Sequence, residues 1–385
     1  MTHLLAGLAC LGHLVLMTGL HNLLYGIRGP RWLGALAHAS AALAVLALPA
    51  ALLAGWGPSL SGLASWPPSC WIHAAIQCYL ALCLAALFLL LPAVTVRRHL
   101  RRRPIAIKHR ETVDVARELA MPPTGEGAHR WMASLPGNEL FQVELIEAEA
   151  HLSRLPAEWD GLKLLHLSDF HFHGVPDRAW FAAIIGRCNQ WEPDLVALTG
   201  DITDSPRHHR WILPLLGRLR AKYGAFAILG NHDYYLEEPE LVRRRLRRAG
   251  YRVLSNQWAE VSVLGRPLVV VGDERPWNRA KLDLTGCPRE AFTLCLSHTP
   301  DNIAWARAHG VDLMLSGHVH GGQVRLPVIG PVVMPSKYGR WYDEGSFEEP
   351  PTVLYVSRGL SGEEPVRYNC PPEATLITLR RKPPE

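Results

Sequence analysis

Beyond residue 160, five apolar runs each end in side chains that can bind a metal ion. LKLLHLSDFH closes on Asp169 and His171, DLVALTGD on Asp201, and AFAILGNHD on Asn231, His232 and Asp233. LCLSH closes on His298, and LMLSGHVH on His318 and His320. Short apolar runs bounded by turn residues read as buried strands, and ligands of α/β sheets collect at the carboxyl ends of strands. A single Asp or His there is ordinarily a cap. Five such endings restrict the chain to folds that bring them together. Helical patterns separate the first strands (DRAWFAAIIGRCNQ, RWILPLLGRLRA, PELVRRRLRRAG), and strands then follow more closely as RPLVVVGDE, AFTLCLSH, DLMLSGHVH, VLYVS and TLITL. This order predicts an α/β domain built on one large mixed sheet or on two packed sheets, flanked by helices.

Residues two apart on an extended backbone point the same way. Asp169 with His171, and His318 with His320, therefore form converging pairs. Gly200, Gly230, Gly317 and Gly321 flank the polar groups, where glycine permits close approach. The donors are nitrogen and oxygen with no thiolate, which favours Mn, Fe or Zn over a structural thiolate site. Seven candidates exceed what one ion requires and suit two if a carboxylate bridges them; spacing alone does not say which. Two ions can clamp a phosphoryl group. His166 lies on the opposite strand face from Asp169 and reads as a packed core histidine. His173 shares the face of Asp169 but precedes Gly174, where the strand is expected to end, and its contact with substrate is left open by the sequence. His208 and His209 are expected to be exposed. In PELVRRRLRRAG, Leu241, Val242 and Leu246 are expected to face the core, with five arginines on a solvated face or against an anionic membrane.

The ordered segments DFH, GD, GNHD, SH and GHVH resemble the signature of the calcineurin-like metallophosphoesterases, over about Leu162 to Leu379. GVDLMLSGHVHGGQVRLPVIGP and LYVSRGLSGEEPVRYNCPPEATLITL resemble the YkuE/YaeI-type branch. The resemblance implies a four-layer α/β/β/α sandwich of two sheets between helices, with every motif position present. It implies that Asp169, His171 and His320 bind one divalent ion, that Asp201 bridges, and that Asn231, His298 and His318 bind a second. His232 would then serve the leaving oxygen as acid or electrostatic stabiliser, with Asp233 orienting it. The expected reaction is hydrolysis of a phosphodiester or pyrophosphate bond. Some relatives in this branch resemble hydrolases of UDP-2,3-diacylglucosamine, so a lipid-linked substrate is one expectation. A phosphodiesterase or phosphatase for soluble substrates, or a non-catalytic metal-binding membrane scaffold, are the alternatives.

The N-terminal quarter has a different character. Through Val96 the only charged side chains are Arg28 and Arg31. Apolar runs at about 4–27, 32–56 and 71–96 each meet the roughly 20 residues that a membrane-crossing helix needs. Trp32, Trp56, Trp66 and Trp71 fall near their ends, where aromatic rings favour the interface. The first run lacks the basic start of a signal peptide, so retention is expected. Arg28 and Arg31 in the first loop, and Arg97, Arg98, Arg101, Arg102 and Arg103 after the third run, place those segments in the cytoplasm. The expected organisation is a transmembrane region at 1–96, a basic juxtamembrane linker at 97–137, and a metallophosphoesterase domain at 138–385. The expected location is the inner membrane, with the catalytic domain cytoplasmic. The net charge of +5 is accounted for by the juxtamembrane arginines, and no reading module for nucleic acid accompanies them. His13, His21, His38 and His73 lie within the runs and are expected to bond between helices rather than to line a haem or proton path.

Overall fold

The computed structural model describes residues 2–25, 36, 39–40, 43–50, 71–101, 103–120, 123–127 and 129–382. Two compact units divide the chain. One comprises Met1–Arg101 with Leu326–Trp341, the other Arg102–Arg325 with Tyr342–Glu385.

The larger unit holds two mixed sheets. The first is built from β1 (Ile105–Asp114), β2 (Gln142–Leu152), β3 (Lys163–Leu167), β4 (Leu195–Thr199), β5 (Gly224–Ile228) and β6 (Arg252–Val253), with the late strand Glu373–Arg381 between β2 and β3. β3, β4 and β5 run parallel and are almost entirely buried, which is why they read as continuous apolar runs rather than alternating ones. The second sheet contains β7 (Gln257–Val263), β8 (Arg266–Asp273), β9 (Phe292–Ser297) and β10 (Leu313–Ser316), followed at the edge by Thr352–Val356 and Gly345–Glu349. β8, β9 and β10 are parallel neighbours. The inner faces of both sheets share one core, in which Leu164, Leu195 and Phe226 meet Val270, Leu294 and Leu313. The other face of the first sheet is covered by the helix Arg178–Gln190, capped by Asp177 at the Trp180 amide and burying Trp180, Phe181, Ile184 and Ile185.

β1 was not expected. It falls in the stretch read as a linker, because its charges resemble a lipid-facing collar and only Ile105 and Val113 are buried. In the fold those charges pair across to β2: Lys108 with Glu149 at 2.9 Å, and Arg110 with Glu144 at 3.3 Å. A charged edge strand also resists pairing with other chains. The arginine-rich helix Pro239–Arg248 buries Val242 and Leu246 as expected, but Arg243 is not solvated. It is buried, with its Nη2 2.8 Å from Glu274 Oε2.

In the smaller unit, Leu4–Asn22 and Ala74–Arg97 are long and apolar enough to cross a membrane. The second is α-helical over Trp71–Ala85 and Leu91–His99, with a π-helical turn at Ala86–Leu90 between. Of the expected run 32–56, residues 43–50 are helical and most of the remainder lies outside the described residues. His13 bonds to the Tyr79 hydroxyl and, at 2.8 Å, to the Ala44 carbonyl, so it does link helices. A Cβ on Gly12 would meet the Cys83 carbonyl oxygen at 1.9 Å, so glycine is what lets the two helices approach. The positions of His38 and the His73 side chain lie outside what is described.

Candidate metal centre

All five motif segments leave the carboxyl ends of parallel strands: β3, β4 and β5 in one sheet, β9 and β10 in the other. There the backbone turns sharply. Asp169, His171, Asp201, His318 and His320 all adopt left-handed φ, between 44° and 70°. Each such residue costs roughly 1 kcal/mol or more, a cost tolerated where side chains must aim at a common point. Backbone bonds hold the turns: Asp169 N–H donates to Gly200 O and His171 N–H to Asp201 O, each at 3.0 Å. Two glycines are required by space. A Cβ at Gly230 would lie 2.2 Å from Asp201 Oδ1, and one at Gly317 would lie 2.1 Å from Asp169 Oδ2.

The donor atoms of Asp169, His171, Asp201 and His320 fall within 4.8 Å of one another, and those of Asp201, His298 and His318 form a second group. Asp201 belongs to both. His298 Nδ1 lies 2.7 Å from the Thr199 carbonyl, and His171 Nδ1 lies 2.9 Å from both oxygens of Asp204. Each Nδ1 therefore carries the proton, and each Nε2 presents its lone pair. Those lone pairs face other acceptors. His298 Nε2 is 3.2 Å from Asp201 Oδ2 and 3.0 Å from Asn231 Oδ1; His171 Nε2 is 3.5 Å from Asp201 Oδ2 and 3.3 Å from His320 Nε2. Asp201 Oδ2 is buried and has no hydrogen-bond partner among the described residues. Acceptors turned on one another in a dry site need cations between them. Protons supply only part of that charge. Burial works against charging His298, but the Asp201 carboxylate carries it up to about 9. Burial, then the neighbouring His171, holds His320 well below its usual value. Divalent ions satisfy the whole set, and a nitrogen–oxygen donor set of this kind suits them.

His232 lies beside the first group, its ring centroid 4.7 Å from that of His171. The carboxylate that addresses it is Asp204, at 3.2 Å from His232 Nδ1, and the orienting role expected of Asp233 is corrected accordingly. Asp233 is fully buried and its oxygens accept backbone N–H groups of Gly230, Ile202 and Thr203, which fixes the GNHD turn to the GD loop. Burial and the charge of Asp201 raise its carboxyl to about 7. Burial disfavours the charged form of His232, yet Asp201 and Asp204 raise it to about 10. Asp204 thus serves His171 and His232 together. It stands three residues after Asp201 in GDITD, and that adjacency was the only signal for it in the sequence.

The remaining histidines sort as follows. His166 is fully buried, bonded through Nε2 to Thr199 Oγ1 at 2.9 Å, and takes no part in the cluster. His173 directs Nε2 to the Gly362 carbonyl at 3.0 Å. His208 and His209 are buried rather than exposed, because the turn beginning at Pro206 folds them inward and His208 packs edge-on against Trp211. Two further site residues, beyond Asp204, have no signal in the sequence. Trp277 packs edge-on against His298 and His318, with centroids at 5.4 and 5.0 Å. Arg367, fully buried, donates to the His320 and Arg358 carbonyls beneath the first group.

The Calcineurin-like phosphoesterase family matches residues 162–322. The chain is 32% identical over 250 residues to an uncharacterized metallophosphoesterase, YkuE, of Bacillus subtilis, covering 63% of this chain and 87% of that protein. It is 30% identical over 221 residues to the phosphodiesterase YaeI of Escherichia coli, covering 56% and 82%. Against the UDP-2,3-diacylglucosamine pyrophosphatase LpxG of Chlamydia muridarum the identity is 27% over 297 residues, covering 63% and 90%.

Proposed function

Because the chain belongs to the calcineurin-like metallophosphoesterases, we propose that Asp169, His171, Asp201 and His320 hold one divalent ion and Asp201, Asn231, His298 and His318 a second. The family and the buried His/Asp groups make it a metal-dependent phosphoesterase. The observation that carries the two-ion reading is the Asp201 carboxylate, which is shared by both donor groups: its Oδ1 accepts the His232 N–H at 2.9 Å, while its buried Oδ2 has no hydrogen-bond partner among the described residues. Bound ions, of Mn, Fe or Zn, supply the positive charge that offsets the phosphoryl oxygens and the charge developing in the transition state. The protein's own groups do the rest. Asn231 contributes a neutral donor, which limits negative charge facing an anionic substrate. His232 is held protonated by Asp201 and Asp204, so near neutral pH it can give its proton to the departing oxygen. Trp277 shields the second group from water on one side. The two sheets and their helices are read as the four-layer α/β/β/α sandwich.

We further read the apolar helices as spans of the inner membrane, with the catalytic domain cytoplasmic. Gly12 against Cys83 and His13 against Tyr79 pack the two helices directly on one another, and the odd number of crossings rests on the arginines of the first loop and of the stretch after the last run. A site carried by such an anchor suits a phosphodiester or pyrophosphate in a lipid-linked substrate, as the name of the chlamydial relative also suggests. Detergent-solubilised protein with Mn²⁺ should hydrolyse a chromogenic phosphodiester; Asp201→Ala should not, and His232→Ala should do so at least about 10²-fold more slowly. Equal rates in all three would end the catalytic assignment. Assayed side by side, UDP-2,3-diacylglucosamine should be preferred to soluble nucleotides and phosphomonoesters; the reverse preference would leave a tethered enzyme for soluble substrates.

A further inference from the structure

The smaller unit contains a piece of chain from far along the sequence. Leu326–Trp341 begins six residues after His320 and clusters with the two apolar helices instead of with either sheet. Its attachments lie toward the C-terminal ends of both helices. The Met334 amide donates to Asn22 Oδ1 at 2.7 Å, and Ile329 packs on Val15, Ala86 and Leu91. The guanidinium groups of Arg97 and Arg101 lie over the Trp341 ring, 4.5 and 3.5 Å from its centroid, and Arg101 Nη1 donates to the Trp341 carbonyl at 2.6 Å.

Three of the segment's exposed side chains, Pro327, Val328 and Val333, are apolar, and the fourth, Lys337, is a cation of the kind that favours headgroup level. Val328 is 78% exposed and Val333 is exposed as well. Val328 also has φ of +66°, a left-handed conformation in which a β-branched residue is a rare outlier. At a turn tip in water, Gly or Asn would take that conformation at far lower cost. A valine held there, fully offered to the surroundings, indicates that the surroundings are apolar. The helices against which Ile329 packs are themselves apolar outside, with Leu11, Leu20, Leu82, Phe88, Leu89 and Leu90 exposed. At the segment's other end stand a tryptophan and two arginines, the combination that favours headgroup level at an anionic bilayer.

We propose that Leu326–Trp341 is a bilayer-contacting segment. Val328 and Val333 enter the acyl boundary, while Trp341, Arg97 and Arg101 lie among the phosphates. The inference rests on reading the two helices as membrane spans. It goes further by assigning the loop that follows the His318–His320 pair to the lipid surface.

The test uses the full chain in vesicles of phosphatidylcholine and phosphatidylglycerol, with one environment-sensitive fluorescent amino acid per variant. Reporters stand at Val328, at Val333, at Leu82 on the helix, and at Leu264, an exposed hairpin residue of the larger unit. Lipids brominated on their acyl chains should quench the reporters at 328, 333 and 82, and should leave 264 unaffected. Iodide in the aqueous phase should quench only 264. If 82 is quenched by bromine but 328 and 333 respond to iodide, the segment faces water and this proposal alone fails. If neither quencher reaches 328 and 333, protein covers the segment and the proposal also fails. If 82 itself responds to iodide and not to bromine, the membrane reading beneath it falls.

Discussion

Asp204→Asn isolates the carboxylate shared by His171 and His232. The substitution is nearly isosteric, and Asp204 lies 2.9 Å from one imidazole and 3.2 Å from the other. Both Nδ1 atoms lie within reach of Asp204 Oδ1, so an amide oxygen there can still accept from both rings, but its NH₂ then stands at the Oδ2 position, 2.9 Å from the His171 Nδ1–H. The substitution also removes the negative charge that helps to keep His232 protonated. Loss of a carboxylate behind a ligating histidine typically costs about 10–100-fold in metal affinity. Loss of general acid–base assistance costs about 10²–10⁴-fold in rate. At saturating Mn²⁺ the first effect is suppressed, so kcat should fall by at least about 10². In a His232→Ala background the same substitution should cost little further in kcat, because the group it serves is gone. The assay is steady-state hydrolysis of a phosphodiester across a Mn²⁺ titration for the wild type, both single variants and the double. Unchanged kcat in Asp204→Asn, or a full additional loss in the double variant, would refute the coupling of Asp204 to His232.

Three further outcomes are expected. Burial holds His166 at about 3, from an ordinary 6.5; between those values only the unfolded chain takes the proton, so stability is full above pH 6.5 and lost as pH falls. The contribution is about 2 kcal/mol by pH 5, and denaturation of His166→Gln in detergent should lose correspondingly less stability than wild type between pH 7 and 5. Gly317→Ala should push Asp169 away from the cluster, since a Cβ has no room there, lowering activity by about 10²-fold and metal content with it, while the midpoint of thermal unfolding moves little. Arg243→Met leaves Glu274 buried and unpaired beside Leu229 and Tyr234; it should destabilise by about 3–5 kcal/mol, with much of that recovered in the double variant with Glu274→Gln.

The proposed ligand positions are legible in the sequence because each is tied to a feature that sequence displays directly, an apolar strand followed by a polar turn. His298 at the end of LCLSH and His320 after LMLS are of this kind. Partnership across the fold could not be read so. Asp233 adjoins His232 in the chain, but its side chain turns back to cap Gly230, while Asp204 reaches the same ring from another loop. Exposure failed for a related reason. His208, His209 and Arg243 look solvated by type, and only the packing of Trp211 and the fixed charge of Glu274 show otherwise. β1 was obscured because its lysine and arginines find carboxylates only once β2 lies beside it.

The most direct test of the two-ion centre is electron paramagnetic resonance of the purified, Mn²⁺-loaded chain with its metal content measured in parallel. Two ions per chain and an exchange-coupled dimanganese signal are expected, with the coupling lost in Asp201→Asn. One ion per chain, or two uncoupled ions in the wild type, would contradict a centre bridged by Asp201.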